Sequence, residues 1–147
     1  MTFISITRLH VRSYLYLPVF VWRAQQSISQ SQSAPGFIHG RLMRESSNTW
    51  WTITAWDTDA AMNAFRTSGA HQSVMPKLMV WCDEASVVHW TQPTTDLPTW
   101  AEAHRRMLAE GRFSKVNDPS PAQIAKEIPA PIPTRITREL QPATPPR

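Results

Sequence analysis

The strongest candidate for chemistry in this 147-residue sequence is a single histidine, His71. It follows Gly69 and Ala70, where a predicted helix ends, so its ring can point into a cleft between helices and a sheet. An imidazole in that place could act as a general base or ligate a haem iron. It could equally hold the helix break through a cap or a structural hydrogen bond, and the residue type alone leaves both open.

The other reactive side chains predict no second site. His89 and His104 have no cysteine or acidic pair at metal-ligand spacing, so no metal site is expected. Cys82 is the only cysteine, which excludes an intramolecular disulfide and suits a reducing cytoplasm. Glycine-rich phosphate loops, nucleophile elbows and paired catalytic carboxylates are absent from the sequence.

The segment that must position His71 has the pattern of a strand followed by two helical stretches. Residues 49–57 alternate strictly, and neither face of this strand is charged, so both faces are expected to be covered. Thr58 is placed to cap a helix that runs to about Thr67, Gly69 breaks it, and residues 70–82 are helical again. The two faces of the strand hold Trp50, Thr52, Thr54 and Trp56 on one side, and Trp51, Ile53 and Ala55 on the other.

The remaining periodic segments complete the order β-α-β-β-α-β. Strands are predicted at residues 3–11, 37–44 and 85–91, and the first helix at residues 17–33. This order is the ferredoxin-like α+β plan, an antiparallel sheet with helices on one face. The second face is expected to pair with that of a second copy, which gives a homodimer in the form of an α/β barrel, with Arg8 paired to Asp83 or Glu84 across the interface.

Two further segments follow the predicted core. Pro98 begins a helix that ends at Gly111, and this C-terminal helix is expected to lie across the neighbouring protomer or over the pocket mouth. Residues 1–118 are predicted as one domain. Residues 119–147 are predicted as a proline-rich, disordered tail, because the apolar pattern stops there. Residues 45–48 are expected to form a turn.

Charge and hydropathy narrow the possible partners. The net charge of +4 is weighted toward the tail, so the folded region is close to neutral. Nucleic-acid binders cluster basic and exposed aromatic residues, and the aromatic residues here lie in apolar, strand-like contexts, so no nucleic acid is expected. No apolar run reaches the ~18 residues that a membrane span needs. The protein is expected to be cytoplasmic.

Short motifs in this chain resemble a known superfamily. They are a Gly-Phe pair at 36–37, Trp-Thr-x-Thr-x-Trp at 51–56, Ala-Ala-Met at 60–62 and Gly-Ala-His at 69–71. Together they resemble the dimeric α/β-barrel superfamily, whose best-known members are the antibiotic-biosynthesis monooxygenases. Motifs at 69–71, 75–77, 81–84, 89–90, 97–100 and 111–112 resemble, over about residues 2–121, an uncharacterised bacterial branch catalogued as a domain of unknown function. A weaker resemblance is to spheroidene monooxygenase.

The resemblance implies a pocket for an aromatic molecule. The cofactor-independent monooxygenases of the superfamily oxidise polyaromatic substrates that activate oxygen themselves, so their pockets need apolar walls and one or two hydrogen-bond donors. Aromatic residues at strand and helix spacing could instead be ordinary core. With His71 as the catalytic candidate, the candidate substrate-binding residues are Thr7, Trp22, Thr54, Trp56, Phe65 and Trp81.

Haem is the alternative cofactor that the resemblance raises. The haem-degrading branch has an Asn on the first strand, a Trp on the second helix and an axial His, where this chain has Thr7, Phe65 and Met75. These departures count against haem degradation, and His71 lies about one helical turn before the expected ligand. No cofactor is therefore predicted, and haem bound through His71 is kept as an alternative.

The expected function is that of a monooxygenase-like protein that acts on, or simply binds, a small apolar or aromatic molecule in a cleft between helices and sheet. A non-catalytic dimeric ligand-binding or interaction module, with the cleft packed shut, is the alternative from another class. The fold alone does not choose between them.

Overall fold

The computed structural model describes residues 1–45 and 48–143 of the chain. Its centre is a six-stranded antiparallel sheet in the order β5-β4-β1-β3-β2-β6. The strands are β1 (Thr2–Val11), β2 (Phe37–Arg44), β3 (Thr49–Trp56), β4 (Cys82–Gln92), β5 (Arg112–Phe113) and β6 (Thr137–Leu140). The helices are α1 (Leu17–Ser33), α2 (Asp59–Arg66), α3 (Gly69–Trp81), α4 (Trp100–Glu110) and α5 (Pro121–Ala125), and a single 3-10 turn (Tyr14–Tyr16) precedes α1.

Local chemistry explains where the helices of the core begin. Pro18 lies in the first turn of α1, where its missing N–H costs no hydrogen bond. The side chain of Thr58 caps α2, since its Oγ1 accepts from the backbone N–H of Ala61 at 3.0 Å. Gly69 begins α3 with φ of 58°, a left-handed conformation that favours glycine. The predicted break between the two helices at Gly69 is confirmed.

The predicted β-α-β-β-α-β core is also confirmed, with small differences at its ends. The bounds of α1 and β2 are those expected, and β4 begins at Cys82 instead of residue 85. The additional helix begins at Trp100, two residues after Pro98, because Thr99 is its cap and accepts from the N–H of Glu102. In the predicted turn at 45–48, Ser46 and Ser47 lie outside the described residues.

The two faces of the sheet are covered in different ways. We call the face beneath α1, α2 and α3 the first face; it carries Thr7, Thr52 and Thr54. The opposite, second face carries the fully buried side chains of Ile6 and Ile53. The apolar cluster on the second face also includes Ile4, Met43, Trp51, Ala55, Val88, Ala103, Met107 and Ile128. Because Ala103 and Met107 belong to α4, the chain's own additional helix packs on this face.

This packing changes the argument for a dimer. The sequence analysis expects a second protomer to bury the second face, yet Trp51 and Ile53 have no exposed surface in the single chain. The expected contact of Arg8 is also different, because its Nη1 bonds Glu84 Oε1 at 2.9 Å within one chain. The sheet register explains this pair, since β1 and β4 are neighbours. Homodimerisation stays a prediction, but burial of the second face no longer supports it.

The expectation of a disordered tail is corrected for the part of the tail that the structure describes. β6 pairs with β2, and Leu140 is buried beside it, while Ile128 enters the second-face cluster. In α5, the side-chain amide of Gln123 bonds the backbone of Ala85 and of Ser114. These anchors are single residues at wide spacing, so no helix or strand period reveals them in the sequence. Residues 144–147 lie outside the described part.

Candidate functional site

A cavity of about 630 Å³ lies between the first face of the sheet and the helices α1 and α3. Its size is that of pockets that hold small molecules. Most of the wall is apolar, and the polar side chains enter from the sheet, from the middle of α1, from the junction of α2 and α3, and from the segment after β5. Among its polar and aromatic lining residues are Ser5, Thr7, Ser27, Trp50, Thr52, Thr54, Phe65, Arg66, His71, His89, Arg112 and Lys115.

His71 lines this cavity from the first turn of α3. Its Nδ1 lies 3.1 Å from the carbonyl oxygen of Arg66, and its backbone N–H donates to Gln30 Oε1 at 2.8 Å. The amide of Gln30 donates in turn to the carbonyl of Ser68, so α1 holds the junction of α2 and α3 in place. The ring centroid of His71 lies 4.7 Å from that of Phe65. The junction therefore fixes both the position and the orientation of the imidazole.

The hydrogen bond to Arg66 also determines the tautomer of His71. A carbonyl oxygen only accepts, so Nδ1 carries the proton, and Nε2 keeps its lone pair in the neutral ring. Burial lowers the pKa of His71, the bond to the Arg66 carbonyl partly opposes this, and the nearby Arg66 charge lowers the pKa further. The neutral form, with Nε2 as an acceptor, therefore predominates at neutral pH.

A second histidine, His89, lines the same cavity. It lies on β4 opposite Ser5, and its ring centroid is 5.3 Å from that of Phe3. Burial lowers the pKa of His89, and the positive charges of Arg112 and Arg66 lower it further. The sequence did not predict His89 as a site residue. The alternation along β4 predicts that His89 and Val88 lie on opposite faces of the sheet. It does not predict which of the two faces lines the cavity.

Two of the predicted threonines lie on the cavity wall. Thr7 and Thr54 both line it, and Thr54 Oγ1 accepts a hydrogen bond from Trp56 Nε1 at 2.9 Å. Thr52 lies between them on β3 and opposite Thr7 on β1. The first face therefore presents a short row of hydroxyl groups to whatever occupies the cavity.

The predicted aromatic wall is only partly present. Phe65 lines the cavity and stacks on Trp56 at 5.2 Å between centroids, so Trp56 lies behind it with no exposed surface. Trp81 is buried at the end of α3 in an apolar cluster with Val11 and Phe20.

Trp22 lies outside the cavity altogether. It is 61% exposed, and the guanidinium of Arg23 lies 5.8 Å from its ring centroid. Two residues of helix turn the chain by about 200°, so Trp22 points away from Phe20, which is buried toward the sheet. The placement of Trp22 in the pocket was wrong, and helical geometry applied to residues 17–33 would have shown it.

Three buried polar atoms on cavity-lining residues have no hydrogen-bond partner among residues 1–45 and 48–143. They are the Nε1 of Trp50 and the Oγ atoms of Ser27 and Ser86. Buried polar atoms are usually paired, so each of these atoms marks a place where a small local rearrangement, a water or a ligand would supply the partner. None of these residues was singled out as a site residue from the sequence.

One group of side chains with metal-ligating atoms lies elsewhere. His10, Asp83 and Glu84 bring one ligand atom each within 4.8 Å of one another. Glu84 forms its ion pair with Arg8, and His10 Nδ1 contacts Asp83 Oδ1 at 2.5 Å. The group therefore already has internal partners, and His10 and Glu84 lie on the second face, away from the cavity.

The fold and the cavity together define an α+β protein that has a ferredoxin-like sheet and a cavity under its helices. Residues 19–77 match the family described as antibiotic biosynthesis monooxygenase. Residues 19–77 therefore form an antibiotic-biosynthesis-monooxygenase-like domain, and the chain shares the fold of that superfamily. No curated protein sequence matches the chain.

Several solved structures have the same fold. SnoaB, a cofactor-independent oxygenase from Streptomyces nogalater, is 17% identical with a TM-score of 0.54, over 67% of this chain and 98% of its own. Rv0793 from Mycobacterium tuberculosis is 11% identical with a TM-score of 0.57, over 67% of this chain and 100% of its own. A conserved protein from Methanosarcina mazei Go1 is 13% identical with a TM-score of 0.56, over 63% and 93%. At these identities the likeness concerns the fold.

In the described part of the chain, none of the helices combines the length and the apolar character that crossing a membrane requires.

Proposed function

We propose that this protein is a cofactor-free, oxygenase-like enzyme that binds a small aromatic molecule in the cavity of the first face. The observation that carries the proposal is the bond from His71 Nδ1 to the Arg66 carbonyl, which leaves Nε2 as a neutral base at the wall of a mostly apolar cavity. The likeness to SnoaB agrees with this class of reaction.

The proposed chemistry needs an electron-rich substrate, such as an anthrone. His71 Nε2 accepts a proton from the acidic CH₂ group, and the resulting anion gives electrons to dioxygen. The CH₂ group becomes a carbonyl: one oxygen atom of O₂ enters it, the other leaves as water with the two protons of the CH₂ group, and the substrate supplies all four electrons that reduce O₂. Thr54 and Thr7 would orient the substrate oxygen, and the apolar wall would exclude water.

Oxygen uptake by the purified protein with an anthrone tests this proposal. General-base catalysis contributes roughly 10²–10⁴-fold, so His71→Ala should lower the rate by at least about a hundredfold. Trp22→Phe, a change at an exposed aromatic residue outside the cavity, is the control and should keep the rate. Saturable anthrone binding without oxygen uptake would instead indicate the non-catalytic binding module.

Haem binding is a second candidate, and the same tautomer favours it. A histidine that ligates a metal usually donates its other ring N–H to a carbonyl or carboxylate, as Nδ1 of His71 does. His71 would then hold the iron, and haem would supply oxygen binding. Absorbance during a haem titration decides: a Soret band that disappears in His71→Ala supports haem, and its absence leaves the cofactor-free proposal. The homodimer and the cytoplasmic location stay predictions.

A further inference from the structure

The charged residues of the cavity all have the same sign. Arg66, Arg112 and Lys115 line it, and its wall has no carboxylate among the described residues. No ion pair joins any of these three cations to an acidic residue within residues 1–45 and 48–143. Three cations that share one cavity repel one another, and a negative ligand would relieve this repulsion.

Two of these cations share one end of the cavity. Arg66 and Arg112 line the cavity together with His89, and their positive charges lower the pKa of His89. Arg66 precedes the helix junction at which His71 is held, and Arg112 pairs with Val87 across β4 and β5. The two guanidinium groups therefore approach the same region from α2 and from the sheet edge. The region also holds two imidazoles that are neutral at neutral pH, so neither ring adds a further charge.

An aromatic part of the wall lies farther along the sheet, at Trp50, whose ring also has the guanidinium of Arg44 at 5.1 Å from its centroid. Trp50 lies opposite Leu9 on β1, while His89 lies opposite Ser5, and Phe20 packs on Trp50 at 5.6 Å between centroids. Four residues of strand correspond to about 13 Å. The strand positions of Trp50 and His89 thus leave room for a ring system along the wall between them.

We propose that the ligand of this cavity is an aromatic anion, whose rings lie toward Trp50 and whose acidic group is held by Arg66 and Arg112. This inference rests on the proposed function and adds the substrate class. Arginine suits the role because its planar guanidinium donates two parallel hydrogen bonds to a carboxylate. Neutral His89 can add a further hydrogen bond to the same group.

Three fluorescent probes of matched size test the inference: anthracene-9-carboxylate, its neutral carboxamide and anthracene. Charge-assisted hydrogen bonds are about twice as strong as neutral ones, so the carboxylate should bind roughly tenfold or more tightly than the carboxamide. Arg66→Gln and Arg112→Gln should each reduce this preference and leave anthracene binding within about twofold. The Arg66→Gln change keeps the backbone carbonyl that holds His71, so the helix junction is retained.

Arg105→Gln is the control, because Arg105 lies exposed on α4 and pairs with Glu102 outside the cavity. It should keep the wild-type preference for the carboxylate. Since Arg112 is exposed, 0.5 M NaCl should also weaken the binding of the carboxylate and leave the binding of the carboxamide unchanged.

Equal binding of carboxylate and carboxamide by the wild type would overturn the anionic ligand and leave an aromatic one. A loss of all three probes in both arginine variants would also overturn it, because the arginines would then act on the shape of the cavity. If the wild type binds none of the three, the aromatic cavity of the proposed function fails as well.

Discussion

The two faces of the sheet differ in how completely the helices fill the space above them. On the first face, α1 and α3 cover a row of threonines and leave a cavity of about 630 Å³. On the second face, Ala103 and Met107 of α4 fill the space over Ile6 and Ile53, which have no exposed surface. The residues of β3 therefore have two roles: those on the second face belong to the core, and those on the first face line the cavity. Stability and function should therefore respond to different substitutions in the same strand.

The largest stability difference should come from adjacent residues of β3. Ile53→Ala should lower the free energy of unfolding by about 2–5 kcal/mol, because it leaves a void in close-packed surroundings. Thr52→Val should change it by less than about 1 kcal/mol, since its side chain faces the cavity. Urea unfolding followed by circular dichroism measures both. Similar losses at the two positions would show that the first face is packed like the second.

Two neighbouring tryptophans offer a finer test of the same contrast. Trp51 Nε1 donates to the buried carboxylate of Glu45 at 2.5 Å, whereas Trp50 Nε1 has no partner in the described chain. Both lose the same atoms on replacement by phenylalanine. Trp51→Phe should therefore cost about 1.5–3 kcal/mol more than Trp50→Phe, because a hydrogen bond to a charged group is lost. Equal unfolding free energies would mean that Glu45 finds water when Trp51 is removed.

The smallest effect should appear in the pH dependence of stability. The pKa values of His71 and His89 are lowered in the folded protein, mainly by burial. The unfolded chain therefore binds more protons as the pH falls below the ordinary histidine pKa of about 6.5, and stability decreases toward the lowered values. Replacing both histidines by glutamine should make the urea midpoint less dependent on pH between about 7.5 and 5.5.

Thr52→Val is the control for that experiment, since it changes the cavity wall without a titrating group, and it should keep the wild-type slope. A slope that the double variant also keeps would assign the pH dependence to groups outside the cavity. The double variant tests the first face, because both of its histidines line the cavity there.

The elements of the core could be predicted because their signals are local. The alternation of residues 49–57, the cap at Thr58 and the break at Gly69 are each contained in a few consecutive residues. The cavity wall was harder to predict, since it joins side chains that are far apart in sequence. Thr7, Thr54, Phe65 and His71 line it as expected, while Trp56 and Trp81 are buried beside it and Trp22 points to solvent.

The missed residues have a common physical reason. His89, Arg66 and Arg112 line one cavity, in which the charges of the two arginines lower the pKa of His89. The residues next to them in the sequence do not indicate this arrangement. The tail shows the same effect, since Ile128 and Leu140 are each single apolar residues that complete a core formed elsewhere.

The amino-acid sequence by itself determines the order of strands and helices and the two-faced character of β3, because backbone preferences and side-chain periodicity act over short distances. Only the tertiary structure decides that α4 covers the second face, that β6 joins the sheet, and that the charged residues lining the cavity are all cations. Those features depend on which distant surfaces fit together, and the free energy of packing is set by the contacts in space.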